Sequence, residues 1–206
     1  MNRKEKEIEA RKQYIIDAAT KVFGREGYEN ASVNEIAKEA EFTKRTLYKY
    51  FKDKADLYLS VLVQTYGEMV DELLKQRYEE KSGIDILKKS IESQYVYYKK
   101  SPETFKIMYD IGNVRKITDN KKIERFLEID NKITKSIMEI VELGQRDGSI
   151  SKKYDSATTT INLKFIISSI FDKLSIAGDN YINHIDLSKE EFESTLIDMI
   201  IKIVKN

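Results

Sequence analysis

The 206-residue chain is 41% hydrophobic and 34% charged with a net charge of +1, which suits one or two globular domains and excludes a disordered or fibrous protein. It has no Cys and one His, His184, so disulfides, thiolate chemistry and zinc-ribbon sites are excluded, and any Ser-His pair must use that one imidazole. No stretch approaches the roughly 18 apolar residues of a membrane span, and the opening MNRKEKEIEARKQ lacks the apolar run of a secretory signal. The expectation is a cytoplasmic protein that is not an enzyme, with no membrane partner, no metal and no cofactor. A single Pro, Pro102, and eight Gly cannot supply the turns of a sandwich or barrel, so the predicted class is all-α. Residues up to Lys54 carry +3 and the rest −2, an asymmetry too mild to name a partner, because charged helix faces are usually just solvated.

In chain order, Ile15, Ala18, Ala19, Val22 and Phe23 form one apolar stripe of a first helix that ends near Gly24 and Gly27. Ser32 is a good N-cap for a short second helix, with Glu35 placed to complete a capping box and Val33, Ile36, Ala37 and Ala40 as its buried face. Thr43 caps a third helix, Lys44 to Phe51, in which Leu47, Tyr50 and Phe51 point one way and Lys44, Arg45, Tyr48 and Lys49 the other. Asp53 caps a long fourth helix running toward Glu80 with a stripe from Leu57 to Leu74. Further helices are predicted at about 84–100, 102–113, 120–145, 155–178 and 188–205, about nine in all, with breaks at Ser101-Pro102, Thr118-Asp119, Asp147-Gly148 and Gly178-Asp179. The last two are so apolar that they need cover on more than one side. No internal repeat appears.

Two short helices separated by a tight turn at Glu41-Phe42, the second with basic and aromatic residues outward, make a helix-turn-helix signature. The segment Ile15-Ile16-Asp17-Ala18-Ala19 through Phe23, Gly27-Tyr28, Ser32-Val33 with Ile36-Ala37, and Thr43-Lys44 with Thr46 to Lys54 closely resembles the DNA-binding domain of the tetracycline-repressor (TetR) family over roughly residues 11 to 62. The resemblance implies a homodimeric transcriptional regulator, usually a repressor. Its DNA-binding domain would be residues 1–54, and residues 55–206 would bind a small-molecule effector and dimerise through the last two helices. Gly144-Gln145-Arg146-Asp147-Gly148-Ser149-Ile150 is similar to the family's connection before its first dimerisation helix. In the turn where the family commonly has Gly this chain has Glu41, and a left-handed conformation there would cost roughly 1 kcal/mol.

The expected partner is double-stranded DNA with a pseudo-palindromic operator. Thr43 and Tyr48 have hydroxyls placed for phosphates, and the Thr43 cap leaves amides at a helix N-terminus that favour an anion. Arg45 is the first choice for base readout, since a guanidinium can bond guanine O6 and N7 together; Lys44 projects beside it and Lys49 reaches the backbone. The resemblance places a phosphate contact at Lys54, with Lys52 in the adjoining turn, and Ser32 joins the candidate set. Leu47, Phe51, Ile36, Ala37 and Phe23 need only packing to explain them.

For the effector, Tyr95, Tyr98, Phe105, Met108, Tyr109 and Phe126 lie on apolar faces of the middle helices, where core is the default and a cavity lining the alternative. Asp130 falls near the centre of an apolar sector formed by Ile123, Phe126, Leu127, Ile133, Ile137 and Val141. A carboxylate there needs a partner: a hydrogen bond or water on one reading, a cationic or donor-bearing effector on the other. Phe165, Ile170, Phe171, Leu196, Ile197, Ile200 and Ile201 are the candidate dimer interface. The competing reading is a dimeric helical ligand-binding or scaffold protein that no longer binds DNA. An enzyme would need a His or carboxylate constellation that the helices do not present.

Overall fold

A computed structural model describes residues 2–75, 82–109, 121–184 and 188–206, with the side chains of residues 109 and 177–183 left aside. Among the described residues there are nine helices: α1 (Arg3–Asn30), α2 (Val33–Glu39), α3 (Lys44–Leu47), α4 (Lys54–Lys75), α5 (Gly83–Lys100), α6 (Pro102–Tyr109), α7 (Lys121–Asp147), α8 (Ser156–Asn183) and α9 (Lys189–Val204). The all-helical class is therefore as the sequence predicts. None of these helices is long and apolar enough to cross a membrane. The predicted break at Thr118-Asp119 and the predicted helical stretches 76–80 and 110–113 lie outside the described residues.

By packing, the chain divides into two compact units, residues 1–67 with 103–127, and residues 68–102 with 128–206. That is a grouping by contact, whereas the division expected at Lys54 is one by function.

In the first unit Ile15, Ala19, Val22 and Phe23 of α1, Ile36 and Ala37 of α2, Leu47 of α3 and Leu57, Tyr58, Val61 and Leu62 of α4 form one core. The ring of Tyr58 meets Phe23 edge-on at 5.0 Å between centroids and Tyr28 at 4.8 Å, and its hydroxyl donates to the Ile107 carbonyl of α6 at 3.3 Å. The stripe read from the sequence is therefore the buried face. Gly24 does not end α1 as expected. It lies inside the helix, where a Cβ would come within 2.5 Å of Glu103 on α6, and the backbone breaks only at Gly27, where φ is 75°. Ser32 accepts the Glu35 N–H at 3.1 Å as predicted, but the Glu35 carboxylate turns to Arg25 Nη2 at 2.6 Å, so only half of the expected capping box forms.

In the second unit α8 continues to Asn183, so the predicted break at Gly178-Asp179 is absent: the apolar period outweighs one glycine in a helix interior. The start of α5 is held against the end of α7. The Gly83 N–H donates to Asp147 Oδ2 at 2.8 Å and the Ile84 N–H to Ser149 Oγ at 3.2 Å. A Cβ on Gly83 would lie 2.2 Å from the Gly144 nitrogen, so the two backbones touch. Hydrogen bonds from Ser149 and from the Gly83 amide hold the Asp147 carboxyl below its usual pKa. The loop after α7 is tied to the end of α9 by an antiparallel bridge between Ile150 and Lys205.

The turn between α2 and α3 settles the question raised by Glu41. Its φ is 57°, the Glu41 N–H donates to the Lys38 carbonyl at 3.1 Å and the Phe42 N–H to the Ala37 carbonyl at 2.9 Å. This is a Schellman ending with a glutamate in the left-handed position that glycine usually fills. Glu41→Gly should therefore stabilise the fold by about 1 kcal/mol, a rise of roughly 2–4 °C in Tm for a chain of this size. Glu41→Ala, which keeps the Cβ, should not. A thermal melt in which the glycine variant is no more stable than the alanine variant would contradict the strain.

Candidate nucleic-acid interface

The segment from Thr43 to Lys54 is assembled by its caps and two anchors. Thr43 has extended backbone, and its Oγ1 accepts the Thr46 N–H at 3.2 Å. Leu47 and Phe51 are 1% and 5% exposed and plug into the first unit's core. The regular helix spans only Lys44–Leu47, shorter than the predicted run to Phe51, but hydrogen bonds from Tyr48, Lys49, Tyr50 and Phe51 to residues three or four back continue the turn. With the apolar side fixed inward, Lys44, Arg45, Tyr48 and Lys49 are exposed, as are Ser32, Thr43 and Lys52.

The charge pairing around this segment is uneven. On α1, Lys21 pairs with Glu39, Arg25 with Glu26 and Glu35, Arg11 with Glu7, and Lys12 with Glu9. Among the described residues no carboxylate pairs with Lys44, Arg45, Lys49 or Lys52. Four unneutralised cations therefore stand on one short segment, beside the Tyr48 ring that Lys44 Nζ approaches to 5.9 Å. Such a surface attracts a polyanion.

Lys54 is more occupied than expected. Its Nζ donates to the Glu29 carbonyl at 3.0 Å and lies 4.7 Å from the Tyr28 ring centroid, which fastens the start of α4 to the end of α1. Two ammonium hydrogens remain for a phosphate. At the same helix start Asp53 Oδ1 accepts the Asp56 N–H at 2.8 Å, and Asp56 Oδ2 accepts the Lys52 N–H at 3.0 Å. The sequence pointed to Asp53 but not to Asp56.

The candidate effector residues divide between the two units. Phe105, Met108 and Phe126 belong to the first unit, where Phe105 and Met108 are buried and Phe126 packs on the core and on Tyr66 at 5.1 Å. Tyr95 and Tyr98 belong to the second and pack on Phe171 at 6.3 and 5.9 Å, and the Tyr98 hydroxyl donates to the Leu174 carbonyl at 2.8 Å. The Tyr109 side chain lies outside the described residues. Asp130 has its cation inside the protein: Lys164 Nζ of α8 stands 2.9 Å from Oδ1 and also donates to Thr134 Oγ1. The charge that the sequence left needing a partner is thus met by a lysine 34 positions away.

None of these residues lines the apolar cavity of the second unit. That cavity, about 40 Å³, is bounded by aliphatic side chains of α4, α5, α7 and α8, including Leu74, Leu87, Ile91, Ile133 and Ile137, with Ser90, Gln94 and Ser136 as its neutral polar groups. A larger groove of about 690 Å³ between α4 and α5 is open and lined by Glu68, Asp71, Glu72, Lys89, Glu92 and Tyr97. Such a charged, wet surface cannot strip water from an apolar ligand.

The candidate dimer residues divide by burial. Phe171, Ile197, Ile200 and Ile201 are 1% to 8% exposed within a single chain, so they are core. Ile170 and Leu196 are half-buried, and Phe165 is 70% exposed. The outward stripes of α8 and α9 carry Ile161, Phe165 and Ile176, and Met199 and Ile203, each 46% to 70% exposed.

Residues 15–61 match the family described as bacterial regulatory proteins, tetR family. Over 81 residues the chain is 35% identical to the HTH-type transcriptional regulator SAB2452 of Staphylococcus aureus, a match covering 39% of this chain and 44% of that one. Over 167 residues it is 26% identical to the uncharacterized HTH-type transcriptional regulator YhgD of Bacillus subtilis, covering 79% and 83%. The first of these matches spans less than half of the relative's length. The solved structure of the transcriptional regulator FadR from Bacillus subtilis in complex with stearoyl-CoA is similar with a TM-score of 0.69 at 19% identity, covering 92% and 97% of the two chains. At that identity the likeness is one of fold.

Proposed function

We propose, on the premise that this chain belongs to the tetR family of bacterial regulatory proteins and is a DNA-binding transcriptional regulator, that it is a repressor whose homodimer leaves its operator when a small apolar effector binds. The observation that carries the reading is the group of unneutralised cations on the segment from Thr43 to Lys52, displayed by a helix whose other face is locked into the core. Arg45 reads a base edge in the major groove, and Lys44 stands beside it. Ser32, Thr43, Tyr48, Lys49, Lys52 and Lys54 set the domain on the phosphates. A dimer then meets two half-sites about one helical turn, roughly 34–36 Å, apart.

The dimer surface is the outward stripe of α8 and α9, since an exposed run of Ile161, Phe165, Ile176, Met199 and Ile203 is larger than the scattered apolar residues of an ordinary surface. The effector site is the aliphatic cavity. At about 40 Å³ it is closed compared with the roughly 300 Å³ or more of a ligand pocket, so an effector opens it by displacing the side chains that fill it. Its lining is uncharged, which favours a flexible acyl chain over a cation; that FadR from Bacillus subtilis was solved with stearoyl-CoA supports the same class. Release follows if the ligand binds more tightly to a conformer whose two reading heads no longer match the groove spacing.

Four outcomes are expected. On a duplex enriched by the wild-type protein from a random library, Arg45→Ala should lower discrimination at one base pair by about 1 to 3 kcal/mol, whereas Tyr48→Phe should weaken all sequences alike. Equal loss on every sequence for Arg45→Ala would remove its base-reading role. Phe165→Glu with Met199→Glu should yield folded monomers by light scattering, while Ile197→Glu should unfold the chain; an unchanged dimer in the first variant would place the interface elsewhere. Ile137→Phe should fill the cavity and abolish release by stearoyl-CoA without changing operator affinity in its absence. Asp130→Asn should leave the choice of inducers unaltered, and a variant that loses response to cationic compounds alone would restore the charged-handle reading.

A further inference from the structure

We propose that Lys122, at the start of α7, is a positioning residue for operator binding, acting through Asp56 on the turn that carries Lys52. This rests on the DNA reading above. Lys122 Nζ lies 2.5 Å from Asp56 Oδ1 and 3.0 Å from the Asp56 carbonyl oxygen, and 5.4 Å from the centroid of the Phe51 ring. The other carboxylate oxygen of Asp56 accepts the Lys52 N–H at 3.0 Å. One carboxylate therefore joins an ammonium 66 positions downstream to the backbone between the reading segment and α4, and the same ammonium covers the aromatic ring that anchors that segment in the core.

Two features set this ion pair apart from the others. Its carboxylate side chain is 16% exposed, the least of any ion-paired acid among the described residues, whereas pairs such as Lys202–Asp198 are more than half exposed on both sides. A screened surface pair contributes little, but removing the cation here takes away two contacts that hold a mostly buried carboxylate beside the turn. The second feature is direction. Losing Lys122 loosens the carboxylate whose other oxygen is the acceptor of the Lys52 amide. The displaced atoms are those of the segment from Phe51 to Lys54, which carries two of the candidate phosphate contacts. Lys122 itself need not touch the nucleic acid.

The test compares the wild-type protein with Lys122→Met, Lys122→Arg and Asp56→Asn on the duplex that wild type enriches from a random library, with affinity measured over a range of salt. Lys122→Met should bind about ten-fold more weakly on that duplex while remaining helical and folded at the assay temperature. Its slope of log affinity against log salt should match wild type, because no phosphate contact has been removed; a direct contact would lower the slope by about 1. Lys122→Arg should restore affinity, and the double variant Lys122→Met with Asp56→Asn should be no weaker than the weaker single one. Wild-type affinity in a folded Lys122→Met, or a lowered slope, overturns the positioning role. If Lys122→Met does not fold, Asp56→Asn decides by the same two readouts. Failure of the wild-type protein to enrich any duplex would overturn the DNA reading, and this inference with it.

Discussion

A single helical turn cannot hold itself together in water: fixing several residues for one or two hydrogen bonds is unfavourable, and α3 has only four residues. The turn that displays Lys44 and Arg45 exists because Leu47 and Phe51 are buried on its far side, because Thr43 satisfies the Thr46 amide, and because Asp53 and Asp56 catch the chain as it enters α4. The exposed cationic surface is thus an outcome of packing in the first unit. This is why so many aromatic residues, Phe23, Tyr28 and Tyr58 among them, meet beneath it, and why a strained left-handed glutamate is tolerated at its approach. A rigid, slightly strained mount holds cations at fixed separations, which a flexible loop would not.

The second unit solves a different problem. Its helices are apolar over broad faces, and what gives them unique partners is a small number of polar locks at their ends and flanks: Asp147 and Ser149 on the first amides of α5, Lys164 on Asp130, Tyr98 on the Leu174 carbonyl, and Lys99 on Glu193. All but the exposed Lys99–Glu193 pair satisfy a group that burial would otherwise leave costly. The lining of the cavity between α4, α5, α7 and α8 is mainly aliphatic packing, which yields more readily than a network of hydrogen bonds can.

Local signals carried most of the fold into the sequence. Ser32, Thr43 and Asp53 cap as their residue types dictate, the apolar stripes of α1 and α4 are buried, and the glutamate at position 41 takes the conformation its place in the turn demanded. The misses share a cause: they depend on which of several apolar faces meets which partner. Phe171 and Ile197 look no different in sequence from Phe165 and Met199, yet the first pair is core and the second exposed, since period alone cannot rank the faces of a helix that is apolar nearly all round. Asp130 with Lys164 and Asp56 with Lys122 are set by tertiary proximity, and no spacing rule reaches across 34 or 66 residues.

The contact of Gly83 with Gly144 limits how the second unit can move. Where two main chains touch without intervening side chains, there is no compressible layer to absorb sliding, and Ile150 closes the far side of Gly144 at the distance of a missing methyl group. The hydrogen bonds from the Gly83 and Ile84 amides to Asp147 and Ser149 cross the same point. The junction works as a ball joint: α5 can swing or twist about its first turn, but it cannot ratchet along α7 by a residue. Sliding is therefore blocked at Gly83, while the far end of α5 is held by side chains alone, Tyr98 on the Leu174 carbonyl and Lys99 on Glu193.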